Sequence, residues 1–225
     1  NFSADGGTIK LDGNYPVGSD NVALGDTAGD ALTTGVRNVA IGSAALSSTD
    51  TGSGNIAIGY QALTTATSGA DNIAIGSDSP TSNAALESLT TGVKNVAIGS
   101  GALTANTTAS NNTAVGYQSL YSNTTGQYNS SFGAYSLDAN TTGNYNAGFG
   151  QSSLGSNTTG SQNTAYGIST LSASTTGSQN TAVGYQSLTT NTTGQYNTAV
   201  GYNSLSVNNA SFNTAVGHDA LDINT

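Results

Sequence analysis

Catalysis needs side chains that move protons, attack electrophiles or hold metals, and this chain has few of them. It contains no Cys and one His, His218, with no Cys, Ser or Asp constellation that spacing would bring beside it. Nucleophilic catalysis needs a base within hydrogen-bond reach of the nucleophile and a third group that orients the base. We therefore expect no enzyme, no catalytic residue, no metal centre and no cofactor. Asp5, Asp12, Asp20, Asp26 and Asp30 gather near the start. Calcium takes oxygen ligands of this kind, but these carboxylates share no repeat position and lack an EF-hand order, so a solvated cap is the expectation.

The residues that do recur in order are tyrosines and amides. Tyr60, Tyr117, Tyr185 and Tyr202 share one place in the repeat described below, and Tyr128, Tyr145 and Tyr196 share another. Phenol rings among uncharged amides suit sugar rings, because an aromatic face packs the apolar side of a sugar while the polar tips hydrogen-bond. Tyr117, Tyr128, Tyr145, Tyr185, Tyr196 and Tyr202 are thus expected ligand-binding residues; the alternative is that stacked Tyr merely covers a corner. Asn106, Asn123, Asn140, Asn157 and Asn191 each open an Asn-Thr-Thr triplet, a formal glycosylation acceptor. Asn and Thr bonding the backbone of a corner explain the same letters, and we favour the corner unless the source is eukaryotic.

Charge narrows the partners. Lys10, Arg37 and Lys94 stand against twelve acidic residues, giving a formal net charge of -9, and only 7% of residues are charged. No basic patch exists to meet phosphate backbones or anionic lipid, so nucleic acid and membrane surfaces are not expected partners. Between Lys94 and Asp219 the one charged side chain is Asp138. Solubility there must come from Asn, Thr, Ser, Gln and Tyr, a composition that often means disorder; the order of the residues argues otherwise. No apolar run is long enough to span a bilayer and no signal-peptide pattern opens the chain. With no Met anywhere, a processed product or a piece of something longer is expected.

The order is a repeat. Asn stands at 21, 38, 55, 72, 95, 112, 129, 146, 163, 180, 197 and 213, in steps of 17 apart from one of 23 and a last one of 16. Counting that Asn as position 0, the consensus is N-[T/V/I]-A-[V/I]-G-Y-Q-S-L-x-x-N-T-T-G-x-x. Position 4 is Gly in all copies. Position 14 is Gly in nine of eleven complete copies, with Ala109 and Ser211 in the others. Glycine on a fixed period marks corners that need positive φ or close approach. Position 8 is Leu in every copy but the first, which has Gly29; position 3 is large and apolar, and position 2 is small.

Two glycines per repeat and the Asn-Thr-Thr runs exclude a helix. Positions 1 to 3 read as a strand and positions 5 to 9 as a second strand around the Leu. Neither can bury an apolar face alone, so each repeat must be a rung stacked on the next. The expected fold is all-β: a parallel β-solenoid, or β-roll, of about twelve 17-residue rungs. At roughly 4.8 Å per rung it would run roughly 55 to 60 Å. Positions 3 and 8 are expected inside as aliphatic columns, exemplified by Leu46, Leu63, Leu120 and Leu188. The repeat Asn, as in Asn38, Asn55, Asn112 and Asn180, is expected to form a ladder of side-chain amides bonding above and below. Position 1, Val or Ile in the first five rungs and then mostly Thr, is expected to face outward as a contact between chains closed by cyclic symmetry.

Residues 1–20 lie outside the period and are expected to cap the first rung or to pair with another subunit. Residues 21–225 form the repeat domain, interrupted near 77–82 by six extra residues. Loops on rigid scaffolds often carry binding, so Ser77, Asp78 and Pro80 are named as a candidate contact loop, with a tolerated bulge as the alternative.

The N-x-A-[I/V]-G core, as in Asn38-Val39-Ala40-Ile41-Gly42 and Asn55-Ile56-Ala57-Ile58-Gly59, resembles the head repeat of YadA-like trimeric autotransporter adhesins. The Asn-Thr-Ala-Val-Gly-Tyr variant is similar to repeats of bacteriophage tail fibres. The resemblance covers Asn21 to Thr225. It implies a left-handed parallel β-roll, three chains about one axis, and binding to matrix proteins or host cells. The adhesin heads use shorter repeats, and each rung here adds an Asn-Thr-Thr-Gly corner. No segment resembles the family's coiled-coil stalk or membrane anchor, or the self-cleaving chaperone that ends many phage fibres. The expectation is an extracellular homotrimeric adhesive fibre segment at a cell surface or on a virion, whose partners are its own copies, possibly also end to end, and a host surface glycan or protein receptor. A purely structural self-assembling filament and, ranked lower, an ice-binding solenoid are the alternatives.

Overall fold

A computed structural model describes residues 20–49, 51–77 and 83–224. The expected cap, except Asp20, and the loop residues Asp78 and Pro80 lie outside the described residues.

Among the described residues the chain is all-β and every strand is short. Eleven successive three-residue strands run from β1 (Val22–Leu24) and β2 (Val39–Ile41) to β11 (Thr198–Val200), followed by β12 (Val207–Asn208), β13 (Thr214–Val216) and β14 (Ile223–Asn224). β1 to β11 and β13 pair in chain order as one 12-stranded sheet, and β12 with β14 forms a second sheet. All pairs are parallel. Val22 faces Val39, Ala23 faces Ala40 and Leu24 faces Ile41. The long step is absorbed without a slip, because Ile73 faces Val96 and Ala74 faces Ala97. The chain is a parallel β-solenoid of about twelve turns with 17-residue spacing.

The strands stop after three residues because position 4 turns sharply. Gly42 has φ +125°, and a Cβ there would lie 2.6 Å from the carbonyl oxygen of Gly59 in the next rung. Position 14 is glycine for the second reason alone: a Cβ on Gly35 would meet the Gly52 oxygen at 2.3 Å. In the last complete rung the shortened spacing moves this corner to Ala210, rather than Ser211, since the Ala210 carbonyl accepts the Asn197 amide at 2.9 Å.

Two expectations about side-chain direction are overturned. Position 2 is the inward one: Ala40, Ala57, Ala74 and Ala97 are buried, whereas Ile41, Ile98 and Phe132 at position 3 are more than a third exposed. Strand side chains alternate with period two, so positions 1 and 3 must share a face, and the small residue between them faces the core. Positions 5 to 9 are not a strand either. Positions 6 and 8 both sit at positive φ, as in Gln118 (52°) and Leu120 (51°). This lets positions 7 and 8 point inward in succession, which a strand forbids: Ser119 and Leu120 are both fully buried. A left-handed L-residue costs about 1 to 2 kcal/mol, while burying a Leu gains about 1.5 to 3 kcal/mol. Burial therefore carries the Leu through the turn, and the Leu column from Leu46 to Leu205 is the spine of one continuous core. In the first rung, where Gly29 replaces Leu, Leu32 lies beside the gap.

The repeat asparagines do form a ladder, with a different bonding order. Asn38 Oδ1 accepts the backbone N–H of Asn55 at 2.9 Å, while the Asn38 amide donates to Gly52 O at 2.9 Å. Asn180 bonds the same way, its Oδ1 accepting the Asn197 N–H at 3.0 Å and its amide donating to Gly194 O at 2.9 Å. Direct amide-to-amide bonds, as from Asn55 to Asn38 at 3.2 Å, occur at some rungs and not others. Each buried amide is thus satisfied mainly by backbone, as a low-dielectric interior demands.

Core chemistry changes along the axis. Position 7 is Ala in the lower rungs (Ala45, Ala62, Ala85, Ala102) and Ser or Thr in the next six (Ser119, Ser136, Ser153, Thr170, Ser187, Ser204), returning to Ala220 in the last. Position 11 changes with it, from Leu32, Thr49, Ala66 and Leu89 to Asn106, Asn123, Asn140 and Asn157. The upper half replaces apolar burial with buried hydrogen bonds: Ser136 Oγ lies 2.8 Å from Ser153 Oγ, and Asn140 donates to Asn123 Oδ1 at 2.8 Å.

Candidate ligand-binding face

Rung stacking turns aromatic residues at equal repeat positions into columns. Tyr128 and Tyr145 stack with centroids 5.1 Å apart and planes within 1°. Tyr196 stacks on Phe212 at 4.8 Å, and Tyr185 on Tyr202 at 5.4 Å, with His218 continuing that column 4.9 Å from Tyr202. The spacing is close to the inter-strand distance, so each ring covers a face of its neighbour. Such stacks present edges and hydroxyls outward instead of open faces. The structure thus brings together Tyr128 with Tyr145 and Tyr185 with Tyr202, and leaves Tyr117 apart from all of them.

Tyr117 pairs instead with Tyr135, centroids 5.3 Å apart and planes at 82°. In an edge-to-face contact only one ring of the pair has a face covered by the other. Both belong to the corner of positions 5 to 9, and so does the insertion. Ser77 is exposed where the insertion leaves the rung. On its far side, Asn83 returns to position 5, since its carbonyl accepts Gly101 N–H at 2.7 Å. Tyr121, two rungs up, donates its hydroxyl to Asn83 Oδ1 at 3.0 Å, and the Glu87 carboxylate accepts Ala84 N–H at 3.3 Å. These two contacts fix the C-terminal base of the insertion on the same face as Tyr117 and Tyr135.

Asp138 stands directly above Tyr121 at position 9. The rung above it carries Gly155 at that place, and the missing side chain opens a notch of about 440 Å³ lined by Tyr135, Asp138, Ser152, Gly155, Ser156, Ser172 and Ala173. Partial burial pushes the Asp138 carboxyl above its ordinary pKa, with opposing hydrogen bonds from its own and the Ala139 backbone. Sequence reading passed over Tyr135, Tyr121 and Asp138. The available signal was the lone charge in a long neutral stretch, one rung below the single Gly in its column.

The five Asn-Thr-Thr asparagines are corner elements. Asn106, Asn123, Asn140, Asn157 and Asn191 are fully buried, and the amides of Asn123, Asn140, Asn157 and Asn191 donate to the glycine carbonyl three residues on at 3.0 to 3.1 Å. The following Thr hydroxyls donate upward in a column, Thr124 to Thr141 O and Thr141 to Thr158 O, each at 3.0 Å. The folded chain offers none of these amides to a modifying enzyme.

His218 is exposed, with Nδ1 2.9 Å from Asp219. Among the described residues no group of three or more His, Cys, Asp or Glu side chains could hold a metal ion, and no helix is long and apolar enough to cross a membrane. No family model, no curated protein and no solved structure matches the chain.

Proposed function

We propose that the chain is the adhesive segment of an extracellular homotrimeric fibre, a left-handed β-roll like the adhesin heads and phage fibres its repeat resembles, which holds a receptor-binding face away from the surface that carries it. The observation that carries this reading is the strip formed by positions 1 and 3. It runs the whole length of the 12-stranded sheet and is uncharged: position 3 is large and apolar or aromatic in every rung, and position 1 is Val or Ile in the first five rungs and mostly Thr after them, as in Val39 and Ile41, Ile56 and Ile58, Ser130 and Phe132, Thr198 and Val200. An outward column of large apolar side chains of this length on one chain calls for a cover, and cyclic symmetry supplies one from identical copies. The corner of positions 5 to 9, with Tyr117, Tyr135 and the base of the insertion at Ser77 and Asn83, is then left outward three times for a host glycan or protein.

Mass and attachment test the reading. Sedimentation equilibrium should give three times the 22.2 kDa chain mass, electron microscopy should show discrete short rods, and the purified protein should bind to host cells or matrix. A monomer that attaches to nothing would remove it. Rods that grow indefinitely end to end would favour the structural filament.

The ice-binding alternative draws on the same strip. Thr181, Thr198 and Thr214 occupy one position on successive paired strands and face outward, a regular hydroxyl array that ordered water could follow. Phe149 and Tyr166 interrupt the companion column just below, and a trimer would hide the threonines. Thermal hysteresis by a monomer would select this reading.

A further inference from the structure

We propose that the notch beside Asp138 is a binding subsite for one neutral pyranose ring. The inference rests on the attachment reading and names the chemistry of its ligand. Asp138 is half-buried, and Gly155 in place of a side chain makes a recess directly above it; an added Cβ on Gly155 would lie 3.4 Å from Asp138 Oδ1. Tyr135 forms one wall, and the hydroxyl-bearing Ser152, Ser156 and Ser172 with Ala173 complete the lining. No cation lies in the lining, so phosphate, sulfate or a sugar acid would meet only repulsion from the carboxylate. A lipid chain would desolvate that carboxylate without compensation. A neutral sugar fits each element: adjacent hydroxyls donate to the carboxylate in charge-assisted hydrogen bonds, further hydroxyls exchange bonds with the serines, and the apolar side of the ring packs on tyrosine. Gly155 is the one glycine of the position 9 column, so the subsite occurs once per chain rather than once per rung.

The experiment is saturation-transfer difference NMR on the intact protein with the methyl pyranosides of glucose, galactose, mannose and N-acetylglucosamine. At least one should show transfer concentrated on a pair of neighbouring ring positions. Gly155→Val fills the recess; Gly155 has no positive φ and a Cβ there meets nothing closer than 3.4 Å, and a thermal melt matching wild type checks that the rung stays intact. Asp138→Asn removes the charge at constant shape. Gly155→Val should abolish the transfer and Asp138→Asn should weaken binding roughly tenfold or more. No transfer from any of the four sugars, or transfer unchanged in Gly155→Val, would overturn the subsite. Attachment to cells that survives in Gly155→Val while wild type shows no sugar transfer would leave the adhesive reading standing and remove only this one. Sugar transfer by a protein that attaches to no cell or matrix would do the reverse.

Discussion

Asn112 Oδ1 accepts the backbone N–H of Asn129 at 2.9 Å, while its amide donates to Gly126 O at 2.8 Å. One buried side chain thereby ties two rungs and closes its own corner. Asn112→Asp keeps the shape, removes the donor and sets a buried carboxylate beside a carbonyl oxygen. Loss of about 3 kcal/mol or more is expected, from an unmet carbonyl and an unpaired buried charge. Hydrogen exchange at neutral pH should show the amides of the rungs flanking Asn112 losing protection ahead of distant ones.

Inside and outside are separated by comparing Leu120 with Ile41. Leu120 is fully buried and Ile41 is 37% exposed. Leu120→Ala should cost about 2 to 5 kcal/mol, read as a lowered urea midpoint. Ile41→Asp should leave the strand paired with its neighbours and instead shift sedimentation from trimer towards monomer. If Ile41→Asp unfolds a single chain as severely as Leu120→Ala, the outward assignment of position 3 is wrong.

The register was readable because a strict period forces like residues onto like, and the Leu column followed from it. Position 3 was misplaced because its size suggested core; the informative residue was its neighbour, since an invariably small position 2 belongs where a second wall stands close. The second asparagine column, Asn106 to Asn157, escaped notice because Asn-Thr-Thr reads as a turn or a glycosylation site. The same column holds Leu32, Ala66 and Leu89 in earlier rungs, and a place that accepts both Leu and Asn is a buried one. The left-handed turns at Gln118 and Leu120 left no mark, because these residue types seldom adopt positive φ.

Two glycines should respond in opposite ways to the same change. Gly42→Ala puts a methyl group 2.6 Å from a neighbouring carbonyl at a φ of +125°, so adjacent rungs must part and soluble, folded yield should fall steeply. Gly155→Ala meets nothing closer than 3.4 Å, and the Ala residue should be neutral or slightly stabilising by about 0.4 to 1 kcal/mol through a stiffer unfolded chain. Paired thermal melts decide it.

Asp138 gives the fold a pH dependence whose sign can be stated. Burial raises its pKa above the ordinary 3.8, so the folded state holds the proton more tightly than the unfolded state. Its favourable contribution is complete below that ordinary value and is lost as pH rises through the folded value. Asp138→Asn should therefore raise the melting temperature at pH 7 and change it little at pH 3. Equal shifts at both pH values would mean that packing, not charge, separates the two proteins.

A break in the second ladder points to a stabilising change. Asn140 donates to Asn123 and Asn157 donates to Asn140, but the next rung carries Ser174, and Asn157 Oδ1 and Ser174 Oγ are both buried without a partner. Serine is too short to reach down the column, so the chain of amides stops at Asn157, two rungs below Asn191. Ser174→Asn would supply an amide that donates to Asn157 Oδ1 and to the Gly177 carbonyl, as Asn157 itself does to Asn140 and Gly160. Its own carbonyl would then accept from Asn191. Satisfying a buried acceptor recovers about 1 to 3 kcal/mol, against the entropy of ordering one more amide side chain. The net expectation is about 1 kcal/mol of added stability, with slower exchange at Thr175 and Thr192. A destabilised variant would show that the corner at Ser174 lacks the width its neighbours have, and that serine is there to fit it.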